Sequence, residues 1–304
     1  AARHPAIRNL RPSAGGAGHG KVAAMELAFS TNAFTRTSLE VACTAIAAAG
    51  YGAVELLADR PHLWPPEIDR GGVAKLRRTL ADLGLTVAAL NANTAVGYYP
   101  APPDEPLFGP DLCHPDPERR SWRSAFTHRA LQVAAELGAG VVTITAGRAR
   151  PGWSPEAAWP LLVDTVGALA TVASELGVRL ALEYEPGLLI ERASQAVQLF
   201  AAVASPALGL NLDVGHAWVV GEEPAAVARA LKTARLFHLH LEDIRDRVHY
   251  HRIPGEGEID FAALFAALAE IGYDRAAAVE LYTCIDAPEA AARAARAYLR
   301  RWFP

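Results

Sequence analysis

From Met25 onward the chain alternates short apolar runs of β character with longer stretches in which apolar residues recur every three or four positions. The short runs predict strands at Glu26–Ser30, Ala53–Leu57, Thr86–Asn91, Gly140–Thr145, Val178–Glu183, Leu208–Asp213, Arg235–His240 and Ala276–Leu281. Between them the helical period covers Ser38–Ala49, Asp69–Leu83, Arg119–Leu137, Pro155–Leu176, Ser194–Ala204, Pro224–Thr233, Phe261–Ile271 and Pro288–Arg301. Such alternation marks βα units and a parallel sheet. The segments "ELGAG", "ELGV", "AAAGYG" and "EIGYD" each set a glycine where a helix stops and a buried strand begins, so one architecture repeats along the chain. Eight strands and eight helices predict an α/β fold of the (β/α)8 TIM barrel type, one catalytic domain over residues 25–304. The alternative, an open doubly wound sheet, lacks its phosphate turn: "FSTNAF" follows the first strand where G-x-G-x-x-G would stand.

Two stretches fall outside the alternation. Residues 1–24 are rich in Gly, Ala and Arg and have no apolar centre, and the only methionine, Met25, directly precedes the first strand. They are expected to be a disordered N-terminal extension or a tag. The stretch Ala92–Glu118 carries seven prolines and is too long for a plain connection, so it predicts a lid or insertion after strand three, at the active-site end of a barrel.

In a barrel, inward-facing residues alternate along each strand, and functional groups come from the strands' carboxyl ends. Strand five ends at Glu183 in "LALEYEP", strand six at Asp213 in "GLNLDVGH", strand seven at His240 in "LFHLHLED" and strand eight at Glu280 in "AVELY". A single carboxylate at a strand end is commonly a helix cap or a buried group satisfied by backbone. Three in register with an imidazole would repel one another and resist desolvation unless a cation joined them. Mostly oxygen ligands favour Mn²⁺, with Mg²⁺, Co²⁺ or Zn²⁺ as alternatives. The stretch from His238 to Phe261 adds histidines, holding four of the chain's ten. His216, His249 and His251 form a second candidate set, for a nitrogen-rich metal site or for hydrogen bonds to substrate, while His238, one inward step below His240, is read as a core residue. Glycines at 255 and 257 let the backbone of that loop approach closely.

Composition narrows the chemistry further. A hydrophobic fraction of 51% supplies a large core, and the net charge of −4 leaves no basic footprint for a nucleic acid. Cys43, Cys113 and Cys284 are odd in number and far apart, which predicts neither disulfides nor a thiolate site and fits a cytoplasmic protein. No apolar run of membrane-spanning length is expected.

At the residues quoted above the chain resembles the xylose isomerase-like TIM barrel superfamily, which gathers sugar and sugar-phosphate isomerases and epimerases, inosose dehydratases and abasic-site endonucleases. The similarity runs from about Met25 to Arg301 and is strongest in "LALEYEP", "LNLDVGHA", "HLHLEDIRDRVHYHRIPGEGEIDF" and "AVELY". The resemblance implies a divalent metal held by Glu183, Asp213, His240 and Glu280, with Glu183 and Glu280 as catalytic acid and base. It implies a substrate contact from Arg245, one position out of step with the family arginine, and in the nuclease branch a further metal at His216, His249 and His251. That branch also needs histidines after strands three and four, where "LNANT" and "TITAGR" have none. The expected function is a metal-dependent sugar or sugar-phosphate isomerase or epimerase. The alternatives are a lyase or dehydratase acting on a keto-sugar or inosose, and a two-metal hydrolase. Phe34, Trp64, Tyr98, Tyr99, Trp153 and Trp218 are candidates to enclose a sugar, and Arg148 to accept a phosphate or carboxylate. Expected partners are a carbohydrate substrate and further copies of the chain as a homodimer or homotetramer, with no nucleic acid and no membrane.

Overall fold

A computed structural model describes residues 25–101, 108–148 and 153–303. The expected extension at 1–24 and the middle of the proline-rich segment lie outside the described residues. Eight parallel strands close into a barrel in chain order: β1 (Leu27–Ser30), β2 (Ala53–Leu57), β3 (Thr86–Asn91), β4 (Val141–Thr145), β5 (Arg179–Glu183), β6 (Leu208–Asp213), β7 (Leu236–Leu241) and β8 (Ala277–Val279). The outer helices are α1 (Leu39–Ala48), α2 (Arg70–Asp82), α3 (Pro117–Leu137), α4 (Pro155–Leu176), α5 (Ala193–Val203), α7 (Pro224–Arg235), α8 (Phe261–Glu270) and α9 (Pro288–Leu299). Their starts follow local chemistry. Side-chain oxygens of Ser38, Asp69, Ser154 and Asp260 accept amide hydrogen bonds in the first turns of α1, α2, α4 and α8. Proline opens α3, α4, α7 and α9, where its missing N–H costs nothing.

Two expectations need correcting. The stretch after β6, to which the helical period assigned no element, forms the short helix α6 (Val214–Val219), because Asp213 caps it by accepting from the His216 N–H at 2.6 Å. And α4 is long and apolar enough to cross a membrane, although no such run was expected. Its apolar residues have a barrel explanation: Leu162, Val166, Leu169, Ala170 and Ala173 are buried where α4 lies between α3 and α5 on β5.

The barrel interior is layered by size and polarity. Small residues fill its lower part, with Ala28, Ala53 and Ala278 in one cluster and Ala89, Val141, Ala181 and Phe237 in another. Phe237 reaches there through a register shift: Leu210 pairs with Leu236 but Asn211 with His238, leaving Phe237 as the extra residue. Gly209 makes room for it, since a Cβ at that position would stand 2.6 Å from the Phe237 ring. A second shift, on the β2–β3 pair, falls at Glu55. Above these layers the interior turns polar while remaining buried: Ser30, Glu55, Asn91, Thr143, Glu183, Asn211, His238 and His240 are all 3% exposed or less.

The described parts of the β3–α3 connection are packed down rather than loose. Arg123 of α3 is buried and donates to the carbonyls of Ala92 (2.6 Å), Asn93 (2.9 Å) and Pro110 (3.2 Å), while Leu112 and Cys113 are fully enclosed. Trp64 stacks with Trp122 and packs at a tilt against Phe126, and Phe34 is buried against Phe29, so both aromatics anchor the structure around them. Tyr98 and Tyr99 stay half-buried at the rim.

Candidate metal centre

At the carboxyl end of the barrel, β5 to β8 bring Glu183, Asp213, His240 and Glu280 together, all buried, with one ligand-competent atom of each within 4.8 Å of the others. His240 Nδ1 is the hub: it lies 3.0 Å from Glu183 Oε2, 3.6 Å from Glu280 Oε2 and 3.8 Å from Asp213 Oδ2. Asp213 divides its work, since Oδ1 caps α6 while Oδ2 is buried without a hydrogen-bond partner.

The two glutamates are held alike. Glu183 Oε2 accepts from the side-chain amides of Asn93 (2.9 Å) and Asn211, and Glu280 Oε1 accepts from those of Asn32 and Asn91, each at 2.9 Å. Each carboxylate thus has one oxygen fixed by two amides and a second left over, which for Glu280 faces His240 Nδ1. The asparagines were absent from the sequence reading. Asn211, two residues before Asp213 and so on the same inward face, was the one with a legible signal.

Electrostatics expose the cost of this cluster without a cation. Burial pushes the carboxyls of Asp213 and Glu280 well above the carboxylate range, reinforced for Asp213 by Glu242 and Glu183 and for Glu280 by Glu183 and Asp213. For His240 burial acts downward, but Glu280, Glu55 and Glu183 more than reverse it and hold the imidazole well above its usual value. A divalent ion would replace protons in this set. The unpartnered Asp213 oxygen, the convergent ligand atoms and the acidic repulsion fit such an ion.

The second set also converges. His216, His249 and His251 each place a ring nitrogen within 4.8 Å of the others. His216 Nδ1 lies 3.1 Å from the Tyr184 carbonyl and His251 Nδ1 lies 3.0 Å from the Glu280 carbonyl. Both Nδ1 atoms therefore donate to backbone, and both Nε2 atoms present lone pairs. Burial keeps all three imidazoles below their ordinary value, His251 at about 3, so they are neutral at pH 7.

Two further carboxylates join them. Glu185, two residues past Glu183 on the same face, lies 3.4 Å from His216 Nε2 and 3.6 Å from His249 Nε2. Burial, with Glu183, Asp213 and Glu280 nearby, holds its carboxyl well up, and Arg148 is the cation that opposes this. Glu242 accepts from the Gly215 N–H and leaves Oε2 unpartnered, close to Asp213, His251 and Glu280.

Not every expected contact forms. Arg245 is exposed and donates to the Glu256 carbonyl across its own loop, so the structure does not bring it to the cluster. Arg247 instead lies over the Trp218 ring, 4.6 Å from its centroid, and donates to the Trp218 carbonyl; that occupies one face of a residue expected to enclose a sugar. This loop turns sharply, with Asp246 and Arg247 both at positive φ, and is clamped at its base by Asp243, which accepts from the amides of Ile244, Gly255 and Ile259. Gly257 permits that closeness, because a Cβ there would lie 2.3 Å from Asp243 Oδ1. His238, expected in the core, is fully buried and bonded to Glu55.

Fold and site together define a (β/α)8 barrel whose carboxyl end gathers a metal-competent group of three carboxylates and an imidazole. The family model of the xylose isomerase-like TIM barrel matches residues 43–302, and the chain belongs to that family. Fructoselysine 3-epimerase of Shigella flexneri is 26% identical over 92% of this chain and 99% of its own. Inosose dehydratase of Erwinia tasmaniensis is 32% identical over 41% of this chain and 47% of its own. The crystal structure of the IolI protein with a bound zinc atom superposes with a TM-score of 0.74 at 20% identity, covering 91% of this chain and 98% of that one. With these relatives the chain is an enzyme, and an isomerase-type activity on a sugar is the one they support.

Proposed function

We propose that this enzyme is a divalent-metal-dependent epimerase or isomerase of a ketose or related sugar, moving a proton next to the carbonyl with Glu183 and Glu280. The observation that carries this reading is the pair of glutamates, each tied through one oxygen by two asparagine amides and both belonging to one ligand group. Glu183, Asp213, His240 and Glu280 would hold the ion, Mn²⁺ by the hardness of the donors. When bound, the ion supplies Lewis-acid polarisation of the substrate's oxygens. The zinc in the IolI structure and the full-length likeness to a sugar epimerase support both parts of the reading.

The chain's own residues do the rest. One glutamate takes the proton from the carbon beside the carbonyl, and the other returns one. Return to the same carbon from the opposite face gives epimerisation, and return to the neighbouring carbon gives isomerisation. The amides of Asn93 and Asn211 on one side, and of Asn32 and Asn91 on the other, stop the carboxylates rotating, so that each proton is held at a defined oxygen. His216 and His251, neutral and with their Nδ1 atoms donating to backbone, keep Nε2 lone pairs to accept hydrogen bonds from substrate hydroxyls, and Glu185 stands beside His216 Nε2.

A hydrolase reading is favoured by one observation, the convergence of His216, His249 and His251 on a second nitrogen-rich group. One experiment separates the two. Deuterium uptake from heavy water into a panel of ketoses and inososes, read by NMR with added Mn²⁺, is expected at the carbon beside the carbonyl, with one ion per chain by metal analysis. No exchange with any of them, alongside two ions per chain and cleavage of a phosphoester, would overturn the proposal.

A further inference from the structure

Beneath the candidate centre lies a carboxylate that the proposed reaction does not use. Glu55, on β2, is fully buried, and its Oε2 lies 2.8 Å from His240 Nε2 and 3.0 Å from His238 Nε2. It reaches across the interior to β7, a strand separated from β2 by β1 and β8 on one side and by four strands on the other. Its other oxygen accepts from Asn91 Nδ2 at 3.3 Å, the same amide that holds Glu280.

We propose that Glu55 is a positioning residue for the metal: it fixes His240 as the Nε2–H tautomer, so that the ion is taken through Nδ1. This rests on the reading that His240 is a ligand.

The geometry supports each part. A neutral imidazole has one N–H and one lone pair, and a carboxylate accepts but never donates. His240 meets a carboxylate at each nitrogen, Glu55 Oε2 at 2.8 Å from Nε2 and Glu183 Oε2 at 3.0 Å from Nδ1; an ion among Glu183, Asp213 and Glu280 would displace the proton on Nδ1, while Glu55 keeps the one on Nε2. The Asn211 amide does not compete. Its nitrogen is 3.2 Å from Nδ1 and 3.3 Å from Nε2, near-equal distances that place it over the ring face and out of the lone-pair direction.

His238 completes the arrangement. Its Nδ1 is buried without a partner, so its proton also belongs on Nε2, pointing at Glu55. The two imidazoles thus donate to the two lone pairs of one oxygen, and His238 holds the carboxylate that holds His240. Through Asn91 the same carboxylate is coupled to the placement of Glu280, so one residue on β2 steadies a nitrogen ligand and an oxygen ligand together.

The test uses the whole chain labelled with ¹⁵N-histidine and loaded with Zn²⁺, which is diamagnetic. Long-range ¹H–¹⁵N correlation is expected to show His240 protonated at Nε2 and metal-shifted at Nδ1; ligation through Nε2 overturns the proposal. In parallel, Glu55→Gln is expected to raise the Kd for Zn²⁺, read by competition with a chromophoric chelator, by about 10- to 100-fold. An unchanged Kd overturns it. If Glu55→Gln does not fold, the wild-type spectrum decides alone. Failure of the underlying reading looks different: wild-type chain that takes up no ion, or whose Kd is untouched in Glu183→Gln and Glu280→Gln, removes His240's role and the proposal with it.

Discussion

The two halves of the barrel mouth are built from different chemistry. From β5 to β8 come charges: Glu183, Glu185, Asp213, His240, Glu242 and Glu280, crowded so that burial and mutual repulsion raise several of the carboxyls well above the usual carboxylate range. From β1 to β4 come mainly neutral amides, Asn32, Asn91 and Asn93, together with Glu55, whose charge is turned down toward the histidines. One half stores reactive charge, and the other, helped by Asn211 of β6, aims it. An amide fixes a carboxylate oxygen without adding net charge, so the geometry can be rigid while the electrostatics remain set for a cation and a proton in transit.

The largest effect expected from breaking this division is on turnover. Glu183→Gln or Glu280→Gln should lower the rate of deuterium exchange by about 10³-fold or more, since each removes a proton-transfer group. Asn93→Ala, which only frees Glu183 to rotate, should cost roughly 10- to 100-fold. Equal losses in the two would show that the amide half does more than aim.

Next in size is a stability effect confined to the β1–β4 half. Arg123→Leu strands the carbonyls of Ala92, Asn93 and Pro110 in a buried setting, and should cost about 3 kcal/mol in urea unfolding. Because Asn93 sits on that support, metal affinity should weaken in the surviving fold as well.

The smallest is a pH effect in the charged half. Burial, with the charge of Glu280 added, raises the Glu242 carboxyl to about 8, against about 4.3 for the unfolded chain. The folded chain binds this proton more tightly, so the group's contribution is complete below about pH 4 and is lost as pH rises toward 8. The Tm of metal-free protein should therefore gain a downward slope between about pH 5 and pH 8 from this group, and Glu242→Gln should flatten that part of the profile in scanning calorimetry by a few degrees.

Much of this was legible along the chain. The eight βα units follow from periodicity, and most strand limits agree within a residue because glycine and capping residues punctuate them. The group Glu183, Asp213, His240 and Glu280 was visible because four successive strands end on a metal-competent side chain at inward parity. Glu55 was not singled out, although a lone carboxylate inside the apolar run "AVELL" is itself a signal, since such a charge is buried only against a partner. Arg245 came from the family resemblance, and in the fold its guanidinium instead donates to the Glu256 carbonyl across its own loop.

What the sequence by itself determined is local: which residues form strands, which face of each strand a side chain takes, and that acidic groups and histidines share one end of the barrel. These depend on a few neighbouring residues and the two periods of backbone geometry. Only the closed barrel decided the pairings across it. Glu55 meets His240 over 185 residues of chain, and Asn32 meets Glu280 over 248. Such contacts are set by strand tilt, by the register shifts at Glu55 and Asn211, and by the small alanines that let opposite walls approach, none of which a local pattern contains.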